Sequence, residues 1–177
     1  MQVADTIKAV IREVKDYPKP GIVFKDITPV LARPELMRDA VRQIADVFRA
    51  SKPDAIAACE ARGFIFGSIL AVELGCAFIP VRKEGKLPYQ TLKQDYALEY
   101  GRATLEMHTD AVKPGWKVLV HDDVLATGGT AAATAQLIKR AGGDVAGFSF
   151  IINLSFLLGE EKLKHEFGIV PHSLVTF

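Results

Sequence analysis

The chain has 177 residues, 49% of them apolar and 24% charged, which suits one compact domain and excludes a disordered chain. Lys and Arg number 22 against 21 Asp and Glu. This balance gives no support to a dedicated nucleic-acid binder, which carries a basic excess. The two cysteines, Cys59 and Cys76, stand in apolar surroundings outside any CxxC motif, which reads as reduced thiols in a cytoplasmic protein. No signal peptide and no apolar run of about 18 residues is visible, so a soluble cytoplasmic domain without a membrane partner is expected.

Ile7, Val10, Ile11 and Val14 recur at helical spacing and predict an amphipathic helix, which Pro18, Pro20 and Gly21 stop. Residues 22–33 predict an irregular or short extended segment. Pro34 suits a first helical position, and Met37, Ala40, Val41, Ile44, Val47 and Phe48 continue a buried stripe. From there strands and helices alternate. Residues 55–59 predict a buried strand. Residues 64–74 predict a helix with Ile65, Ile69 and Val72 on one side, capped by Gly75. Residues 77–81 predict another strand. Residues 82–102 are polar, charged and aromatic and predict a long loop with short extended ends. Ala103, Leu105 and Met107 alternate with Thr104, Glu106 and His108, the pattern of a half-exposed strand. Residues 118–120 predict a buried strand. Thr134, Leu137, Ile138 and Ala141 mark a helix ended by Gly142 and Gly143. A strand over 145–152, a helix over 160–164 and a strand over 173–177 complete the chain. This alternation indicates an α/β domain with a mainly parallel sheet, in which ligands lie at the carboxyl ends of the strands.

The segment Val118-Leu119-Val120-His121-Asp122-Asp123-Val124-Leu125-Ala126-Thr127-Gly128-Gly129-Thr130 carries the most chemistry. A buried strand leads through two adjacent carboxylates into a small glycine loop and then a helix. Gly128 and Gly129 let the backbone approach an anion closely, and Thr127 and Thr130 add hydroxyl donors. The helix start supplies free N–H groups and the positive end of the dipole. Carboxylates do not bind phosphate, but they accept hydrogen bonds from vicinal sugar hydroxyls and offset a cationic transition state. The ligand implied carries a phosphate beside a ribose. Neither a GxxxxGK[ST] loop nor a GxGxxG fingerprint is present.

Asp122-Asp123-Val124-Leu125-Ala126-Thr127-Gly128-Gly129-Thr130 resembles the phosphoribosyl-pyrophosphate signature of the type I phosphoribosyltransferases. Four further segments make the chain similar to the adenine phosphoribosyltransferase family: 17–27 (YPKPGIVFKDI), 60–67 (EARGFIFG), 82–88 (RKEGKLP) and 98–101 (LEYG). They stand in the family's order and span nearly the whole chain.

The resemblance implies one domain over 1–177 with a type I phosphoribosyltransferase-like α/β fold. A mainly parallel central sheet flanked by helices would carry a small N-terminal hood over 1–33 and a flexible active-site loop over 82–102. It implies transfer of the phosphoribosyl group from 5-phosphoribosyl pyrophosphate (PRPP) to adenine, giving AMP and pyrophosphate in purine salvage. It also implies a homodimer, and Mg²⁺ that arrives on the pyrophosphate rather than in a protein cage.

Residue roles follow from the same resemblance. Asp122 and Asp123 would hold the ribose hydroxyls, and Ala126, Thr127, Gly128, Gly129 and Thr130 the 5-phosphate. Arg62 would lie in a pyrophosphate loop containing a non-proline cis peptide. Lys83 and Lys86 would meet pyrophosphate from the flexible loop. Phe24 and Val124 would sandwich the adenine while the backbones of Val23 and Lys25 read its edge. Glu99 would handle a purine proton, with Tyr100 beside it against the substrate. Taken alone, Lys83 and Lys86 read as solvated loop lysines and Phe24 as core, whereas a surface arginine at a helix start would set its charge against the dipole, so Arg62 favours a functional role. His121 stands where the family more often has a small apolar residue, and packing or a subunit contact is expected of it. Lys25 replaces a common arginine. Transfer to another purine, or a regulator that senses PRPP, are the alternatives.

Overall fold

The protein is described by a computed structural model over residues 3–97 and 102–177. The N-terminal part holds helix α1 (Val3–Val10), strands β1 (Arg12–Lys15) and β2 (Val23–Asp26) and the one-turn helix α2 (Thr28–Leu31). The first helix therefore stops four residues short of Val14. Val14 pairs with Phe24 in an antiparallel β1–β2 ribbon, and this partner overrides the local helical period. Residues 22–33 are likewise more regular than their sequence suggests. Helix α3 (Pro34–Phe48) opens on its proline and buries Leu36, Ala40, Val41, Ile44 and Ala45. Val47, expected in that stripe, lies on the outer side.

Strands β3 (Ala55–Cys59), β4 (Ala77–Lys83), β5 (Thr91–Ala97), β6 (Arg102–His108), β7 (Lys117–Leu125), β8 (Asp144–Asn153) and β9 (His172–Thr176) form one sheet in the order β5-β6-β4-β3-β7-β8-β9. The run β4-β3-β7-β8-β9 is parallel, and β5 and β6 join it antiparallel. Helix α4 (Gly63–Leu74) links β3 to β4, α5 (Gly129–Arg140) links β7 to β8, and α6 (Gly159–Phe167) precedes β9. Alternate strand residues feed two cores. Ala57, Val118, Val120 and Phe148 pack with α5 and with Leu163 of α6. Ile56, Leu119 and Ile151 pack with α1, α3 and α4. This two-faced burial explains the continuous apolar runs of the central strands.

Helix α4 is apolar nearly all round, so spacing alone does not choose its inner face. Phe66, Leu70 and Ala71 are buried, while Ile69 and Val72 face outward, 40% and 82% exposed. Gly67 lets α4 approach the sheet, since a Cβ there would stand 2.7 Å from the Ala58 Cβ.

The long loop expected over 82–102 holds strand at 82–83, 91–97 and 102. β4 runs to Lys83, and β5 pairs with β6 from Thr91↔His108 to Ala97↔Arg102. Leu92 and Tyr96 lean on the core from this charged stretch, an anchoring that composition hides. The outward face expected for β6 is also different. Glu106 is only 2% exposed; its carboxylate accepts hydrogen bonds from the N–H groups of Lys86 and Leu87, both at 3.1 Å, and from the Thr91 hydroxyl at 3.2 Å. Among the described residues no helix is long and apolar enough to cross a membrane.

Candidate active site

Parallel neighbours β3 and β7 end side by side, and the turns after them open a cleft of about 480 Å³ beneath the β1–β2 ribbon. Strand β7 is longer than the predicted 118–120, so Asp122 and Asp123 lie on the strand itself and not in the turn beyond it. Asp123 is 4% exposed, and its carboxylate accepts from the Arg62 Nε. The Asp122 Oδ1 accepts the Asp123 N–H at 2.9 Å. Burial, with the Asp123 charge beside it, holds the Asp122 carboxyl well above the usual carboxylate range. A Cβ on Gly63 would stand 2.8 Å from that Oδ1, so a larger residue at the start of α4 would displace the Asp122 carboxyl. His121, one residue earlier, is fully buried with its Nδ1 2.9 Å from the Ser149 hydroxyl. Burial lowers its pKa to about 4. It packs inside the fold, as the packing expectation had it, with no exposed surface.

Ala126 and Thr130 line the cleft, and Thr127, Gly128 and Gly129 line a small recess of about 60 Å³ adjoining it at the start of α5. Gly128 has φ +76°, the left-handed conformation, and its carbonyl accepts the Ala132 N–H. The first N–H groups of α5 therefore lie ahead of the helical ladder, where an anion is favoured.

Val23, Phe24 and Lys25 reach the cleft from β2, and Val124 reaches it from β7. The Phe24 ring meets Tyr17 edge to face at 5.3 Å, and the Arg62 guanidinium lies 5.3 Å from its centroid. Arg62 thus links the β1–β2 ribbon to β7 through one ring and one carboxylate. The Lys25 ammonium is engaged elsewhere, with Glu13 and 3.9 Å from the Phe177 ring centroid, so what Lys25 can offer the cleft is backbone. The Glu60–Ala61 peptide is cis. Lys83 lines the cleft, whereas the Lys86 ammonium rests on Glu60 at 3.0 Å. Glu99 and Tyr100 lie outside the described residues.

Residues 26–164 match the family model of the phosphoribosyl transferase domain. An adenine phosphoribosyltransferase of Cytophaga hutchinsonii is 56% identical over 158 residues, covering 89% of this chain and 87% of that one. The chain belongs to the adenine phosphoribosyltransferase family. The solved adenine phosphoribosyltransferase of Thermoanaerobacter pseudethanolicus superposes with a TM-score of 0.94 at 48% identity, covering 98% of this chain and 99% of that chain. That of Saccharomyces cerevisiae, solved with adenine and an imino-altritol bisphosphate, gives 0.90 at 34% identity, covering 97% and 98%.

Three residues of this adenine phosphoribosyltransferase-family site escape sequence reasoning. Gly159 opens α6 against the glycine loop: a Cβ on it would stand 2.2 Å from the Ala126 carbonyl oxygen and 2.9 Å from the Gly128 nitrogen. It lies some 30 residues beyond the loop it braces, and nothing local marks it. Tyr96 of β5 lines the cleft together with Thr130; only an aromatic residue amid charges could have pointed to it. Glu60 follows a buried strand, the position that the parallel-sheet rule marks for chemistry.

Proposed function

We infer that this chain transfers the 5-phosphoribosyl group of PRPP to adenine, forming AMP and releasing pyrophosphate. The observation that carries the reading is the convergence on one cleft of three parts. These are a glycine loop at a helix start, a carboxylate pair beside it, and an aromatic ring presented by the ribbon. The 5-phosphate is assigned to the loop from Ala126 to Thr130 and the ribose hydroxyls to Asp122 and Asp123. Arg62 and Lys83 border the pyrophosphate, with Lys86 behind them. As pyrophosphate leaves, the anomeric carbon gains positive charge, which the Asp123 carboxylate would offset, with the Asp122 carboxyl oxygens beside it.

Phosphoribosyltransferases generally use Mg²⁺ with PRPP. Asp122 and Asp123 are oxygen donors at the cleft wall, a set that suits a hard cation held mainly by phosphate oxygens and water. When bound, Mg²⁺ would neutralise part of the pyrophosphate charge. The stretch 82–102, which runs from the end of β4 through β5, would close over the cleft and exclude water from the anomeric carbon. A homodimer in the cytoplasm completes the reading. The exposed apolar residues Ile22, Phe156 and Leu158, and Ile69 and Val72 of α4, are surfaces such a contact would cover.

The test is AMP formation from PRPP and adenine with Mg²⁺, with one pyrophosphate released per AMP. Absence of AMP would overturn the reading. Glu99 is proposed to exchange a proton with the purine. Glu99→Gln keeps the shape but not the proton, so turnover should fall about 10²–10⁴-fold with adenine affinity nearly kept. A loss below threefold would leave Glu99 with a packing role only.

A further inference from the structure

Glu60 is an anion on the wall of a cleft that takes a polyanion, and its side chain is only 6% exposed. Its Oε2 accepts from the Arg82 Nε at 2.9 Å. Its Oε1 accepts the Lys83 N–H at 2.9 Å and meets the Lys86 ammonium at 3.0 Å. Burial works to raise the Glu60 pKa, yet these three donors hold it below the ordinary carboxylate value, so the group stays ionised. Lys86 itself does not line the cleft; its ammonium points to Glu60.

The backbone of Lys86 is held independently. Glu106 takes its N–H, and the Arg82 guanidinium donates to its carbonyl at 3.1 Å. The loop therefore keeps its course when the Lys86 side chain is changed. What changes is the charge on the wall. A carboxylate stripped of one of its two cations repels an anion bound at the same end of the cleft, which lowers affinity on the order of tenfold in a partly buried site.

We propose that Lys86 serves the pyrophosphate indirectly: with Arg82 it neutralises and orients the Glu60 carboxylate, and Glu60 and Lys86 act as one positioning unit at the pyrophosphate end of the cleft. The proposal rests on the assignment of pyrophosphate to that end. It makes a prediction that a direct lysine–phosphate contact does not. Removing Lys86 harms the enzyme because Glu60 is left unmasked, so removing the Glu60 charge as well repairs the defect.

The experiment is a double-substitution cycle, read as the KM for PRPP, the KM for adenine, and pyrophosphate binding by calorimetry with Mg²⁺. Lys86→Met should raise the KM for PRPP and weaken pyrophosphate about tenfold, with a much smaller change in the KM for adenine. Glu60→Gln added to Lys86→Met should recover at least fivefold of that loss. A melting curve checks each fold, and Glu60→Ala with Lys86→Met replaces the double variant if glutamine does not pack. A double variant as weak as Lys86→Met, or weaker, overturns the proposal while leaving the assigned reaction intact. If the unchanged chain neither binds pyrophosphate nor makes AMP, the functional reading itself falls and the proposal with it.

Discussion

Asp122→Asn combined with Asp123→Asn should abolish most activity in a chain that still folds. Both side chains are assigned hydrogen bonds with the ribose hydroxyls; a bond to the Arg62-paired Asp123 carboxylate contributes about 1.5–3 kcal/mol, and one to Asp122, whose carboxyl binds its proton more tightly, about 0.5–1.5 kcal/mol. Losing both lowers turnover on the order of 10²–10³-fold. The fold should survive because asparagine keeps the size of aspartate and its oxygen can still accept the Asp123-position N–H that Asp122 accepts now. Charge also favours survival at position 122. Its carboxyl binds a proton more tightly in the folded chain than in the unfolded one. Stability from this group is therefore lost as pH rises from the unfolded pKa through the raised folded one, and asparagine removes that loss. At position 123 the substitution strips Arg62 of its partner, but the Arg62 side chain is 45% exposed and solvent can take up the charge. Melting curves at neutral pH and turnover with saturating PRPP check both halves. A soluble double variant with near-unchanged turnover would contradict the ribose-holding role.

Much of this site is legible in the sequence because its parts are local. The glycine loop, the carboxylate pair and the helix behind them occupy one continuous stretch, and the backbone turns the stretch directly into a strand, a left-handed Gly128 and a helix start. The central strands are legible for a similar reason, since residues buried on both faces form uninterrupted apolar runs. What stays hidden depends on partners distant in sequence. Val14 becomes strand because Phe24 lies across from it. Glu106 becomes buried because the turn after β4 turns its N–H groups toward it. The inner face of α4 is set by how closely Gly67 lets it sit on Ala58, and an all-apolar helix carries no record of that choice. Gly159 and Glu60 act on loops contributed by other parts of the chain, so no window of sequence contains both members of either contact.

Adenine should be preferred over hypoxanthine and guanine by a wide margin. Phe24 and Val124 line the cleft and are proposed to face the base with apolar surface, and stacking is blind to the substituent at position 6. Discrimination falls to the edge. Val23 and Lys25 are two apart on β2, so their backbone N–H and C=O groups turn to the same edge of the strand. The Lys25 side chain is committed to Glu13 and Phe177. Adenine offers a donor amine at position 6 and an acceptor at N1, and hypoxanthine reverses both. A backbone carbonyl and N–H cannot exchange polarity. Each mismatch leaves a buried polar group unpaired, at about 1–3 kcal/mol, so two mismatches amount to a preference on the order of 10²–10⁴. The decisive measurement is kcat/KM for adenine, hypoxanthine and guanine, by pyrophosphate release under saturating PRPP and Mg²⁺. Adenine should lead by at least about 10²; hypoxanthine within tenfold of adenine would contradict the assignment.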